Sequence, residues 1–298
     1  MDTRGYLAEE VALDHADGLL SRREALRRLG LLGLGSGAAA ALLSAAGGAE
    51  ALAAGPPRAR AGVEAQASSR VTARDVTFRG PDGRRLLGAF AAARAAKGSV
   101  LVIHENRGLT DHIRSVAGRL AGDGYSALAI DLLSEEGGTR AIGDEARIMA
   151  ALAAAPPGRF VADMRAGLTE LGRRVPGRRS AAVGFCFGGG QVWNLVNSGD
   201  RRLVAAVPFY GPSPQSPNFA RSRAAVLAIY GGLDARVNAT RERAIAALRR
   251  ARLPHRVRTF PGADHAFFNS TGARYSPAAA RQAYRDLLAW LERYVAVP

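Results

Sequence analysis

An α/β architecture, with a mainly parallel central sheet and helices on both faces, follows from three features of this 298-residue chain. Short continuous apolar runs at 99–104, 125–130, 180–185, 203–209 and 226–230 read as strands buried on both faces. Stretches with helical spacing lie between or after them, at 110–120, 144–154, 160–171, 188–197 and 238–252. Strands that alternate with helices in this way wind into a parallel sheet, and the site then lies outside the carboxyl ends of its strands.

Each element has its own local reason. Residues 71–78 and 84–92, split by Gly80-Pro81-Asp82-Gly83, predict a hairpin. In 110–120, Ile113, Val116, Ala117 and Leu120 share one helical face behind Thr110 as N-cap. The strand at 125–130 ends at Asp131, and Pro156-Pro157-Gly158 separates the next two helices. A strand at 256–260 leads to His265, and a helix over 277–294 follows.

The first part of the chain reads as an address. Ser21-Arg22-Arg23-Glu24-Ala25-Leu26-Arg27 resembles the twin-arginine export motif, and the following stretch 29–46 is uncharged and moderately apolar. Ala51-Leu52-Ala53 supplies a small-x-small cleavage pattern. Residues 1–20 depart from a short basic leader, because they carry Asp2, Glu9, Glu10, Asp14 and Asp17. The expectation is a signal region at 1–54, a flexible linker at 55–69 and a catalytic domain at 70–298. The twin-arginine machinery would export the folded protein to the periplasm or beyond. The competing readings of this region are an uncleaved membrane anchor and an amphipathic cytoplasmic helix.

Composition narrows the function classes. The formal charge is +15, from 41 basic and 26 acidic residues, but Lys97 is the sole lysine and the arginines are spread along the chain. No basic cluster interleaved with aromatics appears, so a solvated basic surface is expected and no nucleic-acid partner. A single cysteine excludes an intramolecular disulfide.

That cysteine carries the chemistry. Gly184-Phe185-Cys186-Phe187-Gly188 follows a predicted strand, in the pattern Gly-x-Cys-x-Gly, where flanking glycines permit a strained strand-to-helix turn that exposes a nucleophile. Asp234 and His265 come later in the order that α/β-hydrolases use, with Asp264 as a rival acid. His265 would take the thiol proton and return it to the leaving group, while Asp234 holds the imidazole in one tautomer. The backbone N–H of Phe187 and one from the loop at Asn106 or Glu105 would form the oxyanion hole. Arg107, Tyr210 and Phe267, with the loop at Asn238, are candidates for lining the substrate pocket.

These motifs, with His104-Glu105-Asn106-Arg107-Gly108-Leu109 and His265-Ala266-Phe267, resemble the dienelactone hydrolase (carboxymethylenebutenolidase) family over about residues 71–295. The resemblance implies an α/β-hydrolase fold with a Cys-Asp-His triad. It also implies that Glu105 approaches the thiol and helps activate it when substrate arrives. Two positions depart from the family pattern. Its arginines for a substrate carboxylate are replaced here by Ser134-Glu135-Glu136 after Asp131-Leu132-Leu133, and by Asn269 four residues past His265. Arg107 or Arg140 is then the candidate for binding an anion. The expected activity is hydrolysis of small esters or lactones through a thioacyl-enzyme, with no metal or organic cofactor. The alternative is a noncatalytic cell-envelope binding protein on a hydrolase scaffold.

Overall fold

The computed structural model describes residues 2–50 and 71–296. The predicted linker 55–69 and the Ala51-Leu52-Ala53 pattern lie outside the described residues.

Three helices come first. Asp2 caps α1 (Thr3–Ala16) by accepting from the Gly5 N–H. Ser21 caps α2 (Arg22–Leu31) by accepting from the Glu24 N–H. Helix α3 (Ser36–Glu50) follows a turn at Gly33, whose φ of 84° favours glycine. The two arginines of the export-like motif thus open α2, and the apolar stretch 29–46 is split between α2 and α3. Among the described residues no helix is long and apolar enough to cross a membrane.

The hairpin β1 (Arg74–Arg79) and β2 (Arg85–Ala91) forms as expected, with antiparallel register from Arg74 opposite Phe90 to Arg79 opposite Arg85. Then follow β3 (Gly98–Ile103), α4 (Asp111–Gly122), β4 (Tyr125–Asp131), a short α5 (Thr139–Ile142), α6 (Glu145–Ala154) and α7 (Arg159–Arg174). Next come β5 (Ser180–Phe185), α8 (Phe187–Asn197), β6 (Leu203–Phe209), β7 (Ala225–Gly231), α9 (Ala235–Asn238), α10 (Arg241–Arg250), β8 (His255–Phe260) and α11 (Pro277–Tyr294). The eight strands lie in the order β1-β2-β4-β3-β5-β6-β7-β8, and every pairing from β4 to β8 is parallel.

The apolar runs are buried for the reason the sequence gives. Every residue of β3, β4, β5 and β7 is buried, since helices cover both faces. Each of Val100, Leu101, Val102 and Ile103 is fully removed from solvent, roughly 2 kcal/mol apiece. The edge strands carry Arg74, Asp75 and Arg79 on one side and Arg256 and Arg258 on the other, which deters further strand pairing.

Two local expectations change. Thr110 occupies the N-cap position of α4, but its hydroxyl makes no capping bond. The helix expected over 238–252 starts later, at Arg241, as α10, and Asn238 closes the short α9 before a break. Thr240 Oγ1 donates to the Val237 carbonyl at 2.8 Å and accepts from the Ser213 N–H at 3.0 Å, which fixes the chain at the break.

Candidate active site

Cys186 links β5 to α8 with φ 56° and ψ −119°, a conformation that costs a residue bearing a Cβ. The surrounding sequence makes the turn possible. A Cβ on Gly184 would lie 2.2 Å from the Gly188 carbonyl oxygen, and one on Gly188 would lie 2.4 Å from that of His104. The end of β3, the end of β5 and the start of α8 therefore touch backbone to backbone. Phe187 is the first residue of α8, so its N–H belongs to the turn without intrahelical acceptors. Asn106, buried, lies on the loop after β3, two residues past the His104 carbonyl that faces Gly188.

His265 arrives on the loop after β8 and Asp234 on the loop after β7. Asp234 Oδ2 lies 2.6 Å from His265 Nδ1, and its Oδ1 accepts from the Val237 N–H at 3.1 Å. Asp234 is thus both the N-cap of α9 and the partner of the imidazole. Asp264 instead accepts from the His265 backbone N–H at 2.6 Å, so it does not orient the ring. With Nδ1 engaged, Nε2 faces the thiol, and a ring nitrogen of His265 lies within 4.8 Å of Cys186 Sγ.

Glu105 is buried, and its Oε2 accepts from Asn269 Nδ2 at 2.6 Å while Oε1 has no partner. Burial pushes this carboxyl up to about 7, with the Asn269 bond and the charge of His265 opposing. His104 braces the same loop. Its Nε2 accepts from the Leu132 N–H at 3.1 Å, so its Nδ1 donates to the Glu105 carbonyl at 2.6 Å. Asn269, noted in the sequence only as a missing arginine, therefore holds the site's buried acid.

The remaining neighbours come from α1, which crosses this rim. Tyr6 Oη lies 3.2 Å from Cys186 Sγ. Glu10 Oε1 lies 3.3 Å from His265 Nε2, within ion-pair distance though off-line for a hydrogen bond, and 3.9 Å from Sγ. Arg236 donates to the other oxygen of Glu10, and its guanidinium sits 4.4 Å from the centre of the Tyr6 ring. Further along α1, Arg274 donates to Asp14 at 2.9 Å and to Asp17 at 2.7 Å. Burial and the Glu10 charge raise the Cys186 thiol above its ordinary value, against the pull of His265. Burial opposes protonation of His265, but Glu10, Asp234 and Cys186 together hold the imidazolium well above its ordinary range. Glu10, Cys186 and His265 offer an oxygen, sulfur and nitrogen set able to hold a transition-metal ion, with the Arg236 charge set against a cation there.

The pocket candidates scatter. The Tyr210 ring stands edge-on to His265 with centroids 5.2 Å apart, and its hydroxyl is buried without a partner. Phe267 is fully buried between Tyr210 and Phe260, as packing. Arg107 reaches outward and donates to Glu145 at 2.8 Å. Arg140 pairs with Asp75 at the sheet edge and is exposed. Neither of these arginines meets a carboxylate beside the thiol; Arg236, which the sequence pattern did not single out, meets Glu10.

The profile of the dienelactone hydrolase family matches residues 87–295. A "Putative carboxymethylenebutenolidase" of Saccharolobus solfataricus is 26% identical over 251 residues, covering 72% of this chain and 97% of that protein. One of Salmonella typhimurium is 31% identical over 221 residues, covering 69% and 82%. Among solved structures, a "Putative Dienelactone Hydrolase" from Klebsiella pneumoniae superposes with a TM-score of 0.66 at 28% identity, covering 74% of this chain and 99% of that one. With the elbow, sheet order and family match in agreement, this chain belongs to the dienelactone hydrolase family.

Proposed function

We propose that the protein hydrolyses small esters or lactones through a thioacyl-enzyme on Cys186. The observation that carries this reading is the Asp234–His265 contact of 2.6 Å beside a thiol held at positive φ on a strand-to-helix elbow. In the first step the Cys186 thiolate forms a C–S bond with the carbonyl carbon, and the carbonyl electrons move to an oxyanion facing the Phe187 N–H. Collapse breaks the C–O bond, and the departing alkoxide takes the proton that His265 Nε2 had accepted from the thiol. Water, deprotonated by the same nitrogen, then attacks the thioester, and the C–S bond breaks to release the acid while the departing sulfur takes the proton back from Nε2. Asp234 keeps Nδ1 protonated throughout, so Nε2 is the nitrogen that moves protons.

Glu105 fits the role of an acid that exchanges a proton near the thiol, because burial places its titration close to neutrality. Export by a twin-arginine signal at residues 1–54 belongs to the same reading and draws its support from the sequence of that segment. The noncatalytic alternative finds less support, because a binding scaffold has no use for an ordered acid–imidazole–thiol set. Cys186→Ala should lower turnover of p-nitrophenyl esters and enol-lactones by about a thousand-fold or more. Iodoacetamide should block the wild type in step with labelling of its one cysteine. Turnover that survives both treatments would sink the reading.

A further inference from the structure

We infer that helix α1 is an intramolecular inhibitor of this site, seated where a substrate must bind, and that Cys186 becomes competent when α1 withdraws. The inference deepens the proposed hydrolase reading and rests on it.

An attacking thiolate needs its carbonyl carbon about 3–3.5 Å from sulfur. Tyr6 Oη already occupies a position 3.2 Å from Sγ, and Glu10 Oε1 lies 3.9 Å from Sγ and 3.3 Å from His265 Nε2. Closure is nearly complete, with Cys186 3% and His265 6% exposed. Surface clefts of about 550 Å³ and about 660 Å³ lie elsewhere, beside Arg114 and Arg140 and beside Phe219 and Arg243.

The chemistry is blocked as well as the space. A carboxylate at Nε2 favours the imidazolium, and an imidazolium cannot accept the thiol proton. The same negative charge beside sulfur opposes the thiolate. A helix that completed a working pocket would keep negative charge away from the base; this one sets a carboxylate oxygen 3.3 Å from it.

The attachment is suited to release. Glu10, Asp14 and Asp17 are spaced by four and three residues, so they form one acidic stripe on α1. That stripe meets Arg236 and Arg274 through side chains. Among the described residues no main-chain hydrogen bond joins residues 2–50 to the sheet domain. Arg236 also keeps Nε and Nη1 without partners, so its cradle for Glu10 is incompletely satisfied. The inhibitor lies inside the segment that reads as an export address, so one stretch of chain serves both readings.

The test uses the full chain and measures iodoacetamide labelling of Cys186 by intact mass, alongside hydrolysis of p-nitrophenyl acetate. Tyr6→Ala/Glu10→Ala should label at least about ten-fold faster and raise kcat/KM by a similar factor, with Glu10→Gln between it and the wild type. Asp14→Ala/Asp17→Ala, which loosens α1 without touching the thiol, should speed labelling about three-fold. This second variant decides the matter if the first does not fold. Wild-type labelling as fast as in these variants would overturn the inference. Lower turnover without faster labelling would overturn it too, and would make α1 part of the substrate site. Faster labelling without turnover of any ester would uphold the inhibitor and reject the hydrolase.

Discussion

The rim of the sheet and the helical segment that crosses it are held by different kinds of force. At the rim, positions are fixed by backbone against backbone: Gly184 against Gly188, Gly188 against His104, and the Cys186 N–H on the Phe209 carbonyl at 3.1 Å. The segment α1–α3 instead meets the sheet domain through ion pairs and buried side chains such as Tyr6, Leu7 and Val11. Backbone contacts of the first kind leave no room for another arrangement, whereas withdrawal of α1 requires the second kind to part while the sheet stays formed. The elbow and the Asp234–His265 pair are held by contacts that α1 does not make.

The largest expected effect tests the rigid side. A Cβ at Gly188 would meet the His104 and Ile103 carbonyl oxygens at 2.4 and 2.5 Å, and neither backbone atom can rotate away. Gly188→Ala should cost about 3 kcal/mol or more, read as a fall in the denaturant midpoint. An unchanged midpoint would mean the elbow tolerates movement, and the contrast between the two regions would fail.

A slightly smaller effect concerns the polar group that the rim keeps dry. Glu105 titrates at about 7 in the fold because of burial, against an ordinary 4.5 in the open chain. The folded state therefore holds this proton after the unfolded state has released it. Stability is lost as pH rises from about 4.5 to about 7, and the full cost persists above that range. Glu105→Gln keeps an oxygen for Asn269 and removes the charge. It should match the wild type at about pH 4 and exceed it by about 3 kcal/mol at about pH 8 in urea denaturation. A constant difference across that range would show that burial is not what shifts the group.

The same contrast explains what the sequence revealed. Strands 99–104, 180–185 and 203–209 and helix 277–294 were legible because burial on two faces, or on one helical stripe, leaves its period in the residues. Cys186, Asp234 and His265 were legible because glycines at fixed offsets and chain order encode a turn. The seat of Glu10 was not legible. An acid on a polar helix near the start of a chain has the same local pattern whether it faces water or a thiol. Its spacing with Asp14 and Asp17 was available, but the partners Arg236 and Arg274 lie more than two hundred residues away. Asn269 was visible only as a departure from a family pattern, and its bond to Glu105 needed the fold. The break at Thr240 was hidden for a related reason, since a threonine at helical spacing gives no sign that Ser213 will claim its hydroxyl.

The smallest expected effect separates attachment from folding. Arg28 on α2 donates to Glu145 on α6 at 3.1 Å and to Glu24 at 2.9 Å, with its side chain 12% exposed. It touches none of the groups around Cys186. Arg28→Ala removes one link between the helical segment and the sheet domain, worth about 1 kcal/mol or less once screened by solvent. If that segment is attached independently, labelling of Cys186 should rise about three-fold while the urea midpoint of the sheet domain stays unchanged. Raising the salt concentration should narrow the gap between variant and wild type, because screening weakens in the wild type the link that the variant already lacks. A midpoint that falls in step with faster labelling would instead make the helices and the sheet one cooperative unit, in which α1 could leave Cys186 only by unfolding the domain that holds it.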